Sequence, residues 1–310
     1  MPVPDTLSGR LKAPIIAAPM FLVSGPDLVV ETCRAGLLGT FPALNARSTD
    51  AYGAWVEEIE NRLDGIEDAA PFGVNLIVHQ TNTRLEADLK MTAHRRVPVV
   101  ITSLGAVRDV VDAVHSYGGL VFHDVISRRH AEKAAEAGVD GIIAVAAGAG
   151  GHAGNLSPFA LIAEIRSVFS GPIILSGAMS TGSHAAAARL MGADYAYLGT
   201  RFIATKESAA PQAYKDMLVA AQAADILYTP AISGVNANFL KPSIRAAGLD
   251  PDALVSHGKL DLGSEAKAWK TVWSAGQGVG SVLDVPSAHD LCTRLITEYR
   301  AALEGAARLL

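Results

Sequence analysis

Cysteine is nearly missing from this chain of 310 residues, which holds only Cys33 and Cys292. They stand far apart without metal-ligand spacing, so neither a disulfide scaffold nor a thiolate-bound metal organises the fold, and reduced thiols are expected. Charge is scarce too, at 18% of residues, and the balance is a net −5. No Lys/Arg-rich stripe is visible and the longest basic cluster is Arg128-Arg129-His130, which argues against nucleic acid as a partner. No uninterrupted apolar run approaches the roughly 18 residues a membrane span needs. The opening Met1-Pro2-Val3-Pro4-Asp5 lacks the charged-then-apolar order of a signal peptide, so the expected location is cytoplasmic.

Small and apolar residues are what the chain has in quantity. Half of it is hydrophobic and 29 residues are glycine. Low charge with abundant Ala, Gly, Val and Leu suits strands buried on both faces, whereas a disordered chain shows the opposite balance. Eight short apolar runs bounded by Gly, Pro or Asp read as such strands: residues 15–18, 37–40, 72–77, 97–102, 119–124, 141–145, 172–175 and 195–198. Helical spacing fills the intervals. Residues 128–137 put Ala131, Ala134 and Ala135 on one face before Gly138, Ser157-Pro158 opens another helix, and residues 180–191 stop at Gly192. Eight alternating units favour a closed (β/α)8 barrel, an α/β fold. A doubly wound sheet would carry a Gly-x-Gly-x-x-Gly loop after its first strand, where this chain has Ala18-Pro19-Met20-Phe21.

Beyond Thr205 the pattern changes. Residues 206–223 read as a helix, followed by turn-rich sequence too long for a simple connection. The predicted division is a barrel over 1–205 and 273–310 with an inserted lid over 206–272, near the C-terminus. Residues 282–310 read as a helix completing the outer ring.

In such a barrel, chemistry gathers at the C-terminal ends of the strands. After the sixth strand comes Ala146-Ala147-Gly148-Ala149-Gly150-Gly151-His152-Ala153-Gly154. These small residues let a planar ring approach the main chain and present one imidazole over it, a side chain suited to proton abstraction near neutral pH. The bland alternative is a flexible loop with a surface histidine. After strands seven and eight come Ser176-Gly177-Ala178 and Gly199-Thr200, the usual phosphate-binding positions. The amides of Gly177, Ala178, Gly199 and Thr200 are expected to face an anion, with the Thr200 hydroxyl as a further donor. Asn75, polar within an apolar strand, needs either a backbone or a ligand partner. Strand five ends in His123-Asp124, and an ion pair of Asp124 with Arg128 or Arg129 is weighed slightly above a ligand role.

Together, Ala17-Ala18-Pro19-Met20, Gly73-Val74-Asn75-Leu76, the Gly150–Gly154 turn, the Gly177 loop, Tyr197-Leu198-Gly199-Thr200-Arg201-Phe202 and Ser274-Ala275-Gly276-Gln277-Gly278-Val279-Gly280 resemble the nitronate monooxygenase (2-nitropropane dioxygenase) family. The resemblance implies a TIM barrel holding FMN, with Ala18, Pro19 and Met20 along the flavin ring and Asn75 near its polar edge. It implies Ser176, Gly177, Ala178, Gly199 and Thr200 at the ribityl phosphate. It further implies Gly150, Gly151 and Asp124 in the same cofactor site, and His152 above the ring as the catalytic base or substrate-positioning group. Expected partners are a small nitronate-like substrate and O2, with no metal and a homodimer left open. Two alternatives remain: an NAD(P)H-dependent FMN reductase of the quinone or enoyl-acyl-carrier-protein type, and a flavin-binding protein without turnover.

Overall fold

The structure, a computed structural model, describes residues 7, 9–105, 108–255 and 271–309. Eight parallel strands close into a barrel: β1 (Ile15–Ala17), β2 (Leu38–Pro42), β3 (Phe72–Ile77), β4 (Val99–Ser103), β5 (Leu120–Val125), β6 (Gly141–Val145), β8 (Ile173–Ser176) and β9 (Tyr195–Leu198), with β9 pairing back onto β1. The eight predicted runs are these eight staves, three with the same bounds and five differing by one or two residues at an end. Proline sets part of the shift. Pro14, Pro98 and Pro172 lack an N–H and stand just before their strands, where each accepts from the neighbouring stave: Ala196, Leu120 and Ile142 donate to them at 2.9–3.0 Å.

The strands read as continuous apolar runs because both faces are covered. Ile16, Phe122, Ile143 and Ile174 fill the barrel interior. Their neighbours Ile15, Val121, Ile142 and Ile173 pack outward under the helices. The predicted helix stop at Gly138 is present, with φ 87° in the left-handed region.

Two helices are shorter than their periodicity predicts. The stretch 206–223 is helical only over Gln212–Ala220, because Pro211 stands at its N-cap and disfavours helix in the residue before it. The stretch 282–310 is helical over Ala288–Ala307, behind Pro286 and an N-cap at Ser287 that accepts from the Asp290 amide. This last helix packs on the helices Gly182–Leu190 and Pro26–Arg34. It brings Cys292 and Cys33, far apart in sequence, into the same buried layer as free thiols.

The predicted insertion contributes β10 (Ile226–Thr229) and β11 (Ala237–Leu240), which form a second sheet. Its third strand, β7 (Gly151–His152), comes from the barrel's own sixth loop. Part of the predicted insertion, residues 256–270, lies outside the described residues.

Candidate active site

The loop after β6 is not the flexible segment its glycines allow. Gly151 and His152 pair antiparallel with Asn238 and Ala237 of β11. The Gly151 amide donates to Ser274 Oγ at 2.6 Å, Ser274 Oγ donates to the Asn238 carbonyl at 2.6 Å, and Asn238 Nδ2 donates to the Ala149 carbonyl at 2.7 Å. Tyr214 donates to the Ser274 carbonyl from below, stacked on Trp273. His152 is thus presented on a strand whose backbone is pinned on three sides. Gly148, at φ 81°, makes the close approach that allows this, its carbonyl taking the amides of Ala178 and Gln277.

Around His152 the strand ends enclose one cavity of about 1170 Å³. That exceeds the roughly 300–1,000 Å³ typical of a site for one drug-sized ligand. Every sequence-predicted site residue lines it: Ala18, Pro19, Met20, Asn75, Asp124, Gly150, Gly151, His152, Ser176, Gly177, Ala178, Gly199 and Thr200. The two phosphate-type loops lie together as expected, but one of the four predicted amides is spent. Ala178 donates to the Gly148 carbonyl at 3.2 Å, which takes it out of the cradle. Gly177 and Ala178 have φ 143° and 54°, the second unusual for a residue with a Cβ. The Thr200 hydroxyl accepts from the Gly276 amide at 2.8 Å, leaving its proton to donate.

On the opposite wall a polar chain crosses three strand ends. Asn75 Nδ2 donates to the Ile101 carbonyl at 3.2 Å and to Ser103 Oγ at 2.7 Å, and Ser103 donates to Asp124 Oδ2 at 2.5 Å. Asn75 therefore finds its donors' partners on β4. Asp124 makes no ion pair with Arg128 or Arg129. Arg128 reaches Glu132 instead, one turn along its own helix, because the end of β5 turns the carboxylate toward the barrel mouth. Burial pushes the Asp124 carboxyl up to about 6, with the Ser103 hydrogen bond and then the His152 charge pulling against it. His123 also borders the cavity, held at 2.8 Å from Thr102 Oγ1, and burial pushes its imidazole down to about 4. Tyr197 is buried nearby, its phenol raised by burial and by Asp124.

Ser103, Tyr197 and Ser274 were not singled out from sequence as site residues. Ser103 and Tyr197 sit at or near strand C-termini, a position that could have found them. Ser274 opens a segment that carries part of the family resemblance, but it lies 123 residues from its partner Gly151, and nothing local in the sequence pairs the two. Among the described residues no cluster of His, Cys, Asp and Glu is arranged to hold a metal, and no helix is long and apolar enough to cross a membrane.

Comparison with known proteins bears on this geometry. The profile of the nitronate monooxygenase family matches residues 6–298. A nitronate monooxygenase of Paraburkholderia phytofirmans is 27% identical, over 94% of this chain and 93% of that protein. The (3aS,4S,5R,7aS)-5-hydroxy-7a-methyl-1-oxo-octahydro-1H-indene-4-carboxyl-CoA dehydrogenase of Rhodococcus jostii is also 27% identical, over 72% of this chain, which spans only 61% of that enzyme's length. Among solved structures, nitroalkane oxidase from Streptomyces ansochromogenes superposes with a TM-score of 0.84 and 25% identity, over 97% of this chain and the whole of that one.

Proposed function

The chain belongs to the nitronate monooxygenase family, and from that premise we propose that it is an FMN-dependent oxidoreductase that oxidises alkyl nitronates with O2 to a carbonyl compound and nitrite. The observation that carries the reading is the placement of His152, pinned on β7 above a cavity floored by small residues.

The residues fit the cofactor. A Cβ placed at Gly199 would come within 3.6–3.8 Å of the Ala18 Cβ and the Met20 side chain, so Gly199, Ala18 and Met20 together make an apolar wall, bare at Gly199, suited to a planar ring. The Gly177 and Thr200 loops offer a hydroxyl and backbone donors for a phosphate. Asn75 and Asp124, both on the cavity wall, offer polar contacts to a ring edge. When bound, the flavin supplies an electron acceptor for the substrate and a route from there to O2.

The protein's own part is binding, orientation and proton control. His152 holds the anionic nitronate, or removes the proton from a neutral nitroalkane, and its position is set by Ser274 through Gly151. Asp124 sets the charge beside it. Tyr228, Val235 and Asn236 of the segment 206–272 line the cavity mouth, which supports reading that segment as a cover that excludes water.

The decisive measurement is anaerobic flavin bleaching. Nitronates should bleach the protein rapidly and NADH and NADPH should not. The reverse result would replace this reading with an NAD(P)H-dependent reductase. Yellow protein that responds to neither would leave a flavin-binding protein without turnover.

A further inference from the structure

We propose that the substrate is an amphiphile, with a reacting end at His152, an extended apolar body, and an anionic group at its outer end held by the rim of the helix Arg128–Ala137. This rests on the cavity being the active site, and adds the class of molecule that fills it.

The first observation is a collar of exposed apolar side chains. Leu22, Leu104, Ile126 and Tyr228 are each 38–40% exposed, among the few large apolar side chains so placed, and all four line the mouth of the cavity around His152. Exposed apolar surface gathered at an opening marks a binding surface, whereas scattered residues need no explanation. Three come from the loops after β1, β4 and β5, and Tyr228 comes from β10. Two of them, Leu22 at φ 60° and Leu104 at φ 65°, hold a left-handed backbone that residues with a Cβ rarely adopt. The Leu22 loop is fixed in that form. Asn45 Oδ1 accepts from the Leu22 amide at 2.8 Å while its Nδ2 donates to the carbonyls of Met20 and Ser24. Strain kept at a ligand-facing position by surrounding hydrogen bonds is the pattern of a ligand clamp. Tyr228 is fixed as well, donating to the Ala153 carbonyl at 3.0 Å beside His152.

The second observation is charge, and it is independent of the first. The helix that begins after Ile126 and Ser127 opens Arg128-Arg129-His130, has no acidic residue in its first turn, and continues through Glu132, which pairs with Arg128, to Lys133. Cations at a helix N-terminus oppose the helix dipole, so this placement is unfavourable for the helix alone. His130 and Lys133, one turn apart and both exposed, line the same cavity mouth. Asp124, at the strand end, is the only carboxylate on that wall among the described residues. In a protein of net charge −5, the rim is a local basic site.

Binding of inert probes tests this without turnover. Titration calorimetry on the flavin-loaded protein with butanoate, hexanoate, octanoate and decanoate should show affinity rising by about two- to fourfold per methylene. Leu104→Asp and Ile126→Asp should flatten that series and leave butanoate binding unchanged. Asp suits the left-handed backbone at position 104 better than most residues, so the first variant tests the surface and not the fold. Lys133→Glu should weaken decanedioate by about tenfold and leave decanoate unaffected. A series flat in the parent protein, or one that survives both Asp variants, overturns the apolar body. Decanedioate unaffected by Lys133→Glu overturns the anionic end. The outcomes separate from the proposed reaction: a steep series with no bleaching by nitronates rejects that reaction alone, and bleaching by nitronates with a flat series rejects this proposal alone.

Discussion

Asp124 is the residue whose charge state most directly sets the field at His152. Its carboxyl is pushed up to about 6, chiefly by burial. Below that pH the site holds a neutral acid, and above it a carboxylate. An anionic substrate should therefore bind more weakly as pH rises through about 6, and Asp124→Asn should remove that inflection from the profile of KM against pH. The same shift bears on stability. The folded value lies above the ordinary 3.8, so the carboxyl's favourable contribution is full below 3.8 and lost as pH rises through about 6. Asp124→Asn should accordingly raise the melting temperature at about pH 7.5 and have no such effect near pH 4. For His152→Ala, flavin content should be retained and kcat should fall by about 10²–10⁴-fold, since one acid–base group contributes that much. Unchanged turnover would remove His152 from the mechanism.

At the scale of elements, the loop after β6 acquires its shape from partners that sequence distance hides. Ser274→Ala would leave the Gly151 amide and the Asn238 carbonyl without a hydroxyl between them, at about 1–3 kcal/mol for each buried group left unsatisfied. Its expected signature is a drop in kcat with flavin content intact, read by steady-state kinetics beside the 450 nm-region absorbance ratio of the purified protein. The phosphate loops respond differently. An alanine at Gly199 meets only ordinary contacts, but valine adds branches toward the wall shared with Ala18 and Met20. Gly199→Val should fold and lose flavin. Full flavin in that variant would show that the cofactor does not use this wall.

Across the whole molecule, the C-terminal helix ties the end of the chain to the barrel's seventh unit. A Cβ at Gly182 would lie 2.2 Å from the Leu295 carbonyl and 2.5 Å from the Tyr299 amide, and neither backbone atom can move without shifting the helix. The Gly182 amide is also capped by Glu298 at 2.7 Å. Gly182→Ala should thus destabilise by about 1–3 kcal/mol or more through overpacking, seen as a lower melting temperature of the entire barrel. A purely local effect, with an unchanged melting temperature, would mean that the two helices separate without cost.

Strand number, strand order and the ordinal place of each loop were legible in the sequence, because a stave covered on both faces must be short and apolar along its length, and because helices end where Gly or Pro ends them. From these followed the closed barrel and the cavity-lining loops of His152, Ser176–Ala178 and Gly199–Thr200, while Ala18, Pro19 and Met20 were legible only through the family resemblance. Tertiary structure decided what depends on contacts between distant segments. It gave the Gly151–His152 turn a strand partner in β11, gave Asp124 to Ser103 in place of an arginine, and spent the Ala178 amide on Gly148. Each is a contact between segments well separated in sequence, and such a contact leaves no periodicity in the chain.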